Sequence, residues 1–426
     1  MNLIYVENKH MELKREYTDN LLKSVSAFAN YDGGKIIIGV DEKNGEIIGV
    51  DSFATSKLEI EHRINDTIAP RPRFDINVIL VSNKHILEIV IYPGLNTPYL
   101  YKGKAYQRSD TSTLPVDQTA LMKLSLKGKN MSYDQIATDE TNLEFSVLKE
   151  KLNTVRPVEN FDKDVLVTLG LFTNNKYNIA AELLADSNSF NNTGIDIARF
   201  GSSISIFLDR KVLSGISILT QYDETLNMFK KHFPEVDVVE GLNRVKKVSI
   251  PYEAFRESVA NAIAHRNYLI NAHIKIEMFD NRIEIISPGG LPSGITKENY
   301  LKDNLSIPRN MAVSHVFHTL NIIERFGTGI RRINLAYFDY ERKPRFVIKE
   351  SFIKVILPNV LFDDRNMNEE TRILNMLDVK VEITRQDVEN LLSISKTKAV
   401  ELLNKLRAND LIEPSGEGKN VLYIKK

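Results

Sequence analysis

The stretch LLKSVSAFANYDGGKIIIGVDEKNGEIIGV, Leu21–Val50, decides the fold of the N-terminal part of this chain. Apolar residues recur at helical spacing through Leu21–Asn30, and the pair of glycines that follows predicts a turn. Lys35–Val40 is a β-branched run typical of a buried strand, and Ile47–Val50 is predicted to be the strand that returns beside it. The stretch therefore predicts a helix, a glycine turn and two paired strands.

The composition excludes several classes of protein. The chain has 426 residues, too many for one ordinary core, and its 56 Lys and Arg balance 56 Asp and Glu. Zero net charge excludes a uniformly basic coat but allows a local basic face. The absence of Cys excludes disulfides, cysteine zinc sites and thiol nucleophiles. Met1–Glu16 is too charged for a secretion signal, and no apolar run could span a membrane, so we expect a cytoplasmic protein.

The order of predicted elements indicates a multidomain α/β and α+β chain. Polar stretches at Ser125–Asn142 and Asn359–Asn368 mark two of the boundaries. The predicted domains are 1–126, 145–240, 241–360 and 369–426. Further elements are predicted at Leu58–Ile68, Phe161–Leu171 and Tyr222–Phe233 for helices, and at Ile76–Val81, Ile86–Ile91, Ile204–Leu208, Ala272–Phe279 and Arg282–Ser287 for strands.

The N-terminal segment resembles a known family through its core SAFAN-x-x-GG-x-I-x-I-GV-D. It is similar to the Schlafen-type AlbA domain over about Glu7–Leu126, which implies an α/β domain that binds nucleic acid. In Schlafen members that cleave RNA, the resemblance implies three metal-binding acids, which match Glu7, Glu12 and Asp41 here. Three carboxylates around one Mg²⁺ or Mn²⁺ suit phosphodiester cleavage. We favour the alternative, in which the glutamates pair with neighbouring cations and Asp41 is a turn residue.

Cations and tyrosines alternate along the same segment. We expect the cations to contact phosphates and the tyrosines to stack on bases. The alternative is a mixed-charge surface with tyrosines that cover the core. The cations are Lys14, Arg15, Lys35, Arg71, Arg73, Lys102, Lys104 and Arg108, and the tyrosines are Tyr99, Tyr101 and Tyr106.

A second group of candidate residues lies on the predicted helix PYEAFRESVANAIAHRNY, which begins at Pro251. Glu257, Asn261 and His265 are spaced four apart, so they share one face of this helix. A carboxylate can deprotonate a water, and an amide oxygen can bind Mg²⁺. Downstream turns contain Gly289, Gly290, Gly327, Thr328 and Gly329, whose N–H groups we expect to approach phosphates closely.

The ordered set ExxxNAxxHRNY, PGG and GTGI resembles the GHKL-type ATP-binding fold, in the divergent branch labelled RecG-related helicase or bacterial transcriptional regulator. The resemblance covers about Val239–Val360 and implies an α/β sandwich with bound ATP and Mg²⁺. It implies that Glu257 is the general base of a weak ATPase and Asn261 the magnesium ligand. His265 and the glycine turns would then complete the nucleotide site, with Gly327 and Gly329 in a lid over the phosphates.

One departure from that family concerns adenine. Typical members have an aspartate at the first glycine box, whereas this strand exit reads Ser287-Pro288-Gly289-Gly290. The chain also has no GxxxxGK[ST] loop, which excludes a P-loop helicase motor. The alternative is that Glu257 and Asn261 only satisfy contacts between helices.

The C-terminal segment has the order of a winged helix-turn-helix. Thr384 is a predicted N-cap of a short helix, Ser395–Asn409 is the next helix, and two strands follow around a glycine-rich tip. Val400, Leu402, Leu403 and Leu406 form its predicted apolar stripe. We expect nucleic-acid contacts from this module, although such modules also serve in dimerisation. The contact residues are Lys396, Thr397, Lys398, Lys405, Arg407, Lys419 and Lys425.

Together these patterns predict a nucleotide-responsive DNA-binding protein, a transcriptional regulator that acts as a homodimer and has RNA as a second target class. One alternative is a Schlafen-like metal-dependent nuclease gated by nucleotide, acting in defence. Another is an ATPase whose turnover drives assembly changes.

Overall fold

The computed structural model describes residues 5–201, 205–240, 243–292, 294–301, 308–324, 328–365, 367–380, 382–416 and 421–426. It contains two compact units, Met1–Ser132 and Tyr133–Lys426, and each is considered by itself. In these described ranges, no helix is both long enough and apolar enough to cross a membrane.

The first unit is built on a four-stranded sheet of order β1-β2-β5-β4, in which only β1 and β2 are parallel. Its core lies between this sheet and the first two helices. The elements are β1 Met11–Lys14, α1 Leu21–Asn30, β2 Gly34–Ile38, α2 Phe53–Thr67, β3 Ile68–Ala69, β4 Phe74–Val81, β5 Lys84–Ile91, β6 Leu100–Tyr101, β7 Tyr106–Ser109, β8 Ser112–Pro115 and α3 Gln118–Gly128.

The two glycines after α1 are each needed for a different physical reason. Gly33 has φ +77°, a backbone conformation that favours glycine, and a Cβ on Gly34 would overlap the ring of Phe28. The predicted returning strand at Ile47–Val50 is wrong, since Ile47 forms only an isolated bridge and Gly49 has φ +92°. The chain turns away at that glycine instead of extending the pairing.

The second unit begins with a 3-10 turn at Tyr133–Gln135 and is built on a six-stranded sheet of order β12-β11-β15-β16-β18-β17. Its elements before the C-terminal module are α4 Ser146–Val155, α5 Lys163–Thr168, β9 Phe172–Thr173, β10 Lys176–Tyr177, α6 Ile179–Leu184, β11 Ile195–Phe200, β12 Phe207–Leu213, α7 Ile218–His232, β13 Val236–Glu240, β14 Asn243–Lys247, α8 Tyr252–His265, β15 Ile274–Met278, β16 Arg282–Pro288, α9 Lys297–Leu301, α10 Met311–Thr319, α11 Gly329–Ala336, β17 Arg345–Ile348 and β18 Phe352–Pro358.

This sheet joins the ranges 145–240 and 241–360, which the sequence patterns assign to separate domains. β11 pairs in parallel with β15, so a strand of the earlier range lies inside the sheet of the later one. One continuous core extends from Phe145 to Leu357. The two ranges therefore share a core because their strands are hydrogen-bonded neighbours.

The C-terminal module follows the order helix, strand, two helices and a strand pair, with strand order β19-β21-β20. The Thr384 N-cap prediction is confirmed, with a full capping box to Asp387. Ala399, Leu402, Leu403 and Leu406 are buried, whereas Val400 of the predicted stripe is exposed. The elements are α12 Glu369–Val379, β19 Glu382–Thr384, α13 Arg385–Leu392, α14 Lys396–Ala408, β20 Ile412–Ser415 and β21 Leu422–Lys425.

A buried charge network joins α12 to the six-stranded sheet. Arg282 on β16 donates to Asp378 on α12 at 2.9 Å and to Glu284 at 2.6 Å. Lys354 donates to the other oxygen of Glu284 at 2.6 Å, and Lys425 donates to Asp378 at 2.5 Å. Each buried carboxylate thus has two cationic partners, and the C-terminal module is held to β16 through Asp378.

Candidate functional site

The carboxylate and the amide predicted to form a nucleotide site lie together on α8. Glu257 is buried, with 4% of its surface exposed, and Asn261 donates from Nδ2 to its Oε1 at 3.1 Å. Burial raises the pKa of Glu257, while the hydrogen bond from Asn261 and the charge of Arg332 act in the opposite direction. The face of α8 therefore carries a desolvated carboxylate with a fixed amide beside it.

Gly329, the first residue of α11, contacts this pair. A Cβ on Gly329 would lie 2.5 Å from Asn261 Nδ2 and 2.6 Å from Glu257 Oε1, so a larger residue would require the ends of these side chains to shift. The neighbouring Thr328 donates its hydroxyl to Glu324 at 3.3 Å. Gly327 lies outside the described residues. The later glycine segment is thus adjacent to the carboxylate and amide, although 68 residues separate Gly329 from Asn261 along the chain.

The turn after β16 differs from its predicted role. Gly289 has φ +101°, and its N–H donates to the carbonyl of Ser351 at 2.8 Å. The N–H of Gly290 donates to the carbonyl of Glu350 at 3.0 Å. The expectation that these two N–H groups are free for phosphates is wrong in this conformation, because the backbone pairing of β16 with the start of β18 continues through both glycines.

His265 at the end of α8 is half-buried beside Arg309. Burial, together with the charge of Arg309, lowers the pKa of His265 to about 4. The imidazole is therefore neutral at pH 7 and supplies no positive charge to a phosphate. His265 remains a candidate for a hydrogen bond to a ligand from its neutral ring.

Two residues that the sequence patterns did not single out help to build this region. Asn310 is fully buried and donates from Nδ2 to the carbonyls of Ala264 and Arg266, both at 2.9 Å. Arg309 donates to the carbonyl of Gly290 at 2.5 Å. The first closes the C-terminal end of α8, and the second fixes the glycine turn. Their only sequence signal is an adjacent cation and amide just before α10.

Removing the charge of Glu257 should stabilise the second unit. A raised pKa means that folding disfavours the ionised form, so the penalty is present above the folded pKa and disappears as the pH falls below the unfolded value, about 4.3. We expect Glu257→Gln to raise the melting temperature by about 2 °C at pH 7 and to leave it unchanged at pH 4. Differential scanning calorimetry at both pH values checks this. A lower melting temperature at pH 7 would contradict it.

The three predicted nuclease acids of the first unit have other partners. Glu7 accepts from the backbone N–H of Leu13 at 2.9 Å. Glu12 is buried and accepts from Arg108 at 2.8 Å. Asp41 pairs with Arg15, and this contact lowers the pKa of the Asp41 carboxyl. Within the described part of the chain, no group of three or more His, Asp or Glu side chains could hold a metal ion.

A polar groove of about 480 Å³ lies beside these acids. We call it the N-terminal groove. The segment before α1 contributes Thr18 and Asn20 to its wall, and the first turn of α1 contributes Ser24. Its charged lining is mixed and slightly cationic, formed by Lys14, Arg15, Lys23, Arg108, Glu12, Glu16 and Glu42.

The tyrosines predicted to stack on bases are not accessible. Tyr99, Tyr101 and Tyr106 are each less than 10% exposed and belong to the core of the first unit, so that prediction is wrong. Tyr101 and Tyr106 lie on β6 and β7, where alternation along each strand points every second side chain inward. Among the other predicted cations, Lys35 pairs with Glu88 at 2.8 Å. Arg71, Arg73, Lys102 and Lys104 are exposed.

The predicted cations of the C-terminal module fall into two groups. Lys405 pairs with Glu370 at 2.5 Å, and Lys398 lies 3.9 Å from Glu369, so α12 partly neutralises both. Lys425 is engaged by Asp378. Lys419 lies outside the described residues. Of the predicted contact residues on α14, Lys396, Thr397 and Arg407 are exposed and have no ion pair described above.

Comparison with known proteins identifies two domains. Residues 7–117 match the family described as "Schlafen, AlbA_2". Residues 271–357 match the family described as "Putative ATP-dependent DNA helicase recG C-terminal". The chain thus carries an AlbA_2 domain and a RecG-type C-terminal ATPase-like domain. The second match begins after α8, so Glu257, Asn261 and His265 precede it.

Two solved structures are similar to parts or all of the chain. The DIP2311 protein from Corynebacterium diphtheriae is 22% identical, with 98% of this chain and 92% of that chain covered and a TM-score of 0.48. The N-terminal domain of a RecG-related protein from Nitrosomonas europaea is 24% identical. That match covers 25% of this chain and 82% of the other, with a TM-score of 0.21.

Proposed function

We propose that this chain, which joins an AlbA_2 domain to a RecG-type ATPase-like domain, is a nucleotide-responsive DNA-binding protein that regulates transcription. The observation that carries the proposal is the contact of Gly329 with Glu257 and Asn261. A carboxylate, an amide and a glycine turn that are distant in sequence meet at one place. A carboxylate and an amide on one helix, beside the N-terminus of a second helix, can together hold a magnesium nucleotide.

The residues at this place fit a magnesium nucleotide. Asn261 uses its Nδ2 for Glu257, so its amide oxygen remains as a hard ligand of the kind that Mg²⁺ prefers. When bound, Mg²⁺ would neutralise phosphate charge. The buried Glu257 would accept a proton from water, since burial raises its pKa and so makes the carboxylate a stronger base. Weak ATP hydrolysis is the part of the proposal that depends on Glu257.

The DNA contact is assigned to the C-terminal module as a winged helix. The exposed Lys396, Thr397 and Arg407 lie on α14, the helix that such modules place in the major groove. The network around Arg282 connects α12 with β16, and β16 ends at the glycine turn next to α8. Support for nucleic-acid binding also comes from the AlbA_2 domain, with RNA as the second target class. A homodimer on two half-sites is part of the proposal.

Loss of the amide should abolish the response to nucleotide. We expect Asn261→Ala to weaken binding of ATP with Mg²⁺ by at least about tenfold, because the proposed metal ligand is removed. Isothermal titration calorimetry with and without Mg²⁺ measures this. Duplex DNA affinity, measured by fluorescence anisotropy, should change on ATP addition in the wild type and not in Asn261→Ala.

The matched control is Asn227→Ala, which removes the same side chain from the exposed side of α7. It should retain both the nucleotide affinity and the effect on DNA. A wild-type protein that gives no heat with ATP, and whose DNA affinity ATP does not alter, would refute the proposed switch.

A further inference from the structure

The N-terminal groove contains an unusual balance of fixed charges. Three of its four cations, Lys14, Arg15 and Arg108, are paired with carboxylates of the same unit. Lys14 lies 3.0 Å from Glu42 and 3.4 Å from Glu12. Burial acts to lower the pKa of Lys14, but the hydrogen bond to Glu42 and the charges of the glutamates outweigh it and raise that pKa. Lys14 is therefore a charged ammonium between acids.

The buried guanidinium of Arg108 is held in the same way. Its side chain is 4% exposed and donates to Glu12 at 2.8 Å and to the hydroxyl of Thr113 at 3.0 Å. The ring of Phe28 covers its other side, with 5.6 Å between the guanidinium carbon and the ring centroid. Both oxygens of Glu12 are consequently paired with cations, Oε1 with Lys14 and Oε2 with Arg108.

Both carboxylate oxygens of Asp41 also have partners. Oδ2 pairs with Arg15, while Oδ1 accepts from the backbone N–H groups of Lys43 at 2.7 Å and Asn44 at 3.3 Å. Those two bonds make Asp41 the residue that closes its own turn. The acids implied by resemblance to metal-dependent nucleases therefore do not fit a metal ion in this chain.

We propose that the acids of the N-terminal groove are internal counter-ions, which nucleic-acid phosphates displace from Lys14 and Arg15. The inference rests on the proposed association of this chain with nucleic acid. Phosphate and carboxylate compete for the same ammonium and guanidinium donors, so each groove acid weakens binding. The groove is a phosphate site whose affinity is lowered by its own carboxylates. It binds the backbone of a nucleic acid without cutting it.

Neutralising a groove acid should therefore strengthen binding, which is the opposite of what a nuclease site predicts. Glu42→Gln is the most informative change, since Glu42 is 46% exposed, holds Lys14 and is not one of the three implied metal ligands. We expect the full-length variant to bind a fluorescent single-stranded 20-mer about fivefold more tightly at about 50 mM salt. The slope of log Kd against log salt should steepen by about 0.7, the value for one extra phosphate contact.

The matched control is Glu61→Gln, which removes the same charge from the exposed side of α2 and should leave both quantities unchanged. Asp41→Asn retains the turn acceptor and releases Arg15, so it should act like Glu42→Gln. Glu12→Gln retains a hydrogen-bond acceptor for Arg108 and removes the charge beside Lys14, so it should also strengthen binding. Circular dichroism spectra verify that each variant is folded.

Each outcome of this experiment has one meaning. Unchanged or weaker binding by Glu42→Gln overturns the inference, and so does equal tightening by Glu61→Gln. A Mn²⁺ titration that gives heat with the wild type and not with Glu12→Gln, or Mn²⁺-dependent cleavage of the 20-mer, also overturns it while nucleic-acid association stands. If Glu42→Gln binds and the wild type does not, the inference stands and nucleic-acid association of the native chain fails. If none of the proteins binds, both fail.

Discussion

Arg282→Ala should destabilise the second unit by about 3 kcal/mol. The guanidinium is 11% exposed and is shared between Glu284 and Asp378, which are 8% and 12% exposed. Its removal leaves two largely buried carboxylates with one cation each, Lys354 and Lys425. Because each carboxylate keeps one cation, we expect the loss of unfolding free energy to lie at the lower end of the range for breaking a buried ion pair. Because the chain has no Trp, urea unfolding is best followed by far-UV circular dichroism.

Arg210→Ala is the matched control for that experiment. Arg210 lies on the same sheet and also makes a two-bond pair with a carboxylate, Asp196, but half of its side chain is exposed. Solvent screens this pair, so its loss should change the unfolding midpoint far less. If the two variants unfold at the same urea concentration, the network around Arg282 does not hold α12 to the sheet.

Gly329→Ala should weaken binding of magnesium nucleotide by at least about tenfold, equivalent to about 1.4 kcal/mol. Helix propensity alone predicts a gain in stability, since alanine is the better helix former at the start of α11. The added methyl group would instead meet Asn261 Nδ2 at 2.5 Å and Glu257 Oε1 at 2.6 Å. The ends of these side chains must shift to make room, and we expect this to disturb the hydrogen bond between them. Calorimetric titration and the melting temperature together measure the two effects.

The outer side of α11 supplies the control for this change. Arg331→Ala leaves the contact with α8 intact, since Arg331 is exposed, and should not alter nucleotide affinity. A Gly329→Ala protein with a higher melting temperature and unchanged affinity would show that the contact plays no part in binding. It would also remove the observation on which the nucleotide proposal depends.

Local patterns in the sequence predict several elements of this fold closely. The bounds of α1, Leu21–Asn30, were predicted without error, because the apolar spacing ends at a glycine pair that the backbone needs. The long helix from Pro251 and the strands β15 and β16 also lie where periodicity places them. Each of these signals is contained within about 20 residues, the range over which side-chain periodicity carries information.

Pairings across long separations could not be predicted in the same way. β11 lies beside β15, and Arg282 contacts Asp378 over 96 residues of chain. No local pattern predicts the hydrogen bonds of Asn310. The same holds for the backbone partners of the Gly289 and Gly290 N–H groups. Side-chain type shows that a group can bind phosphate or metal. Only the folded structure shows whether such a group is already bound by another side chain, as Glu12 is by Arg108 and Asp41 by Arg15.

The register of β16 limits how this chain can vary. Arg282–Pro288 pairs with β18 residue for residue, without a bulge. Ile283, Ile285 and Ser287 project toward the core and α8, whereas Arg282 and Glu284 project from the opposite face. Inserting one residue would exchange these faces, so that charges enter the core and the α12 contact is lost. Homologous chains that lengthen this strand should therefore do so in steps of two residues, or acquire a bulge that restores the phase.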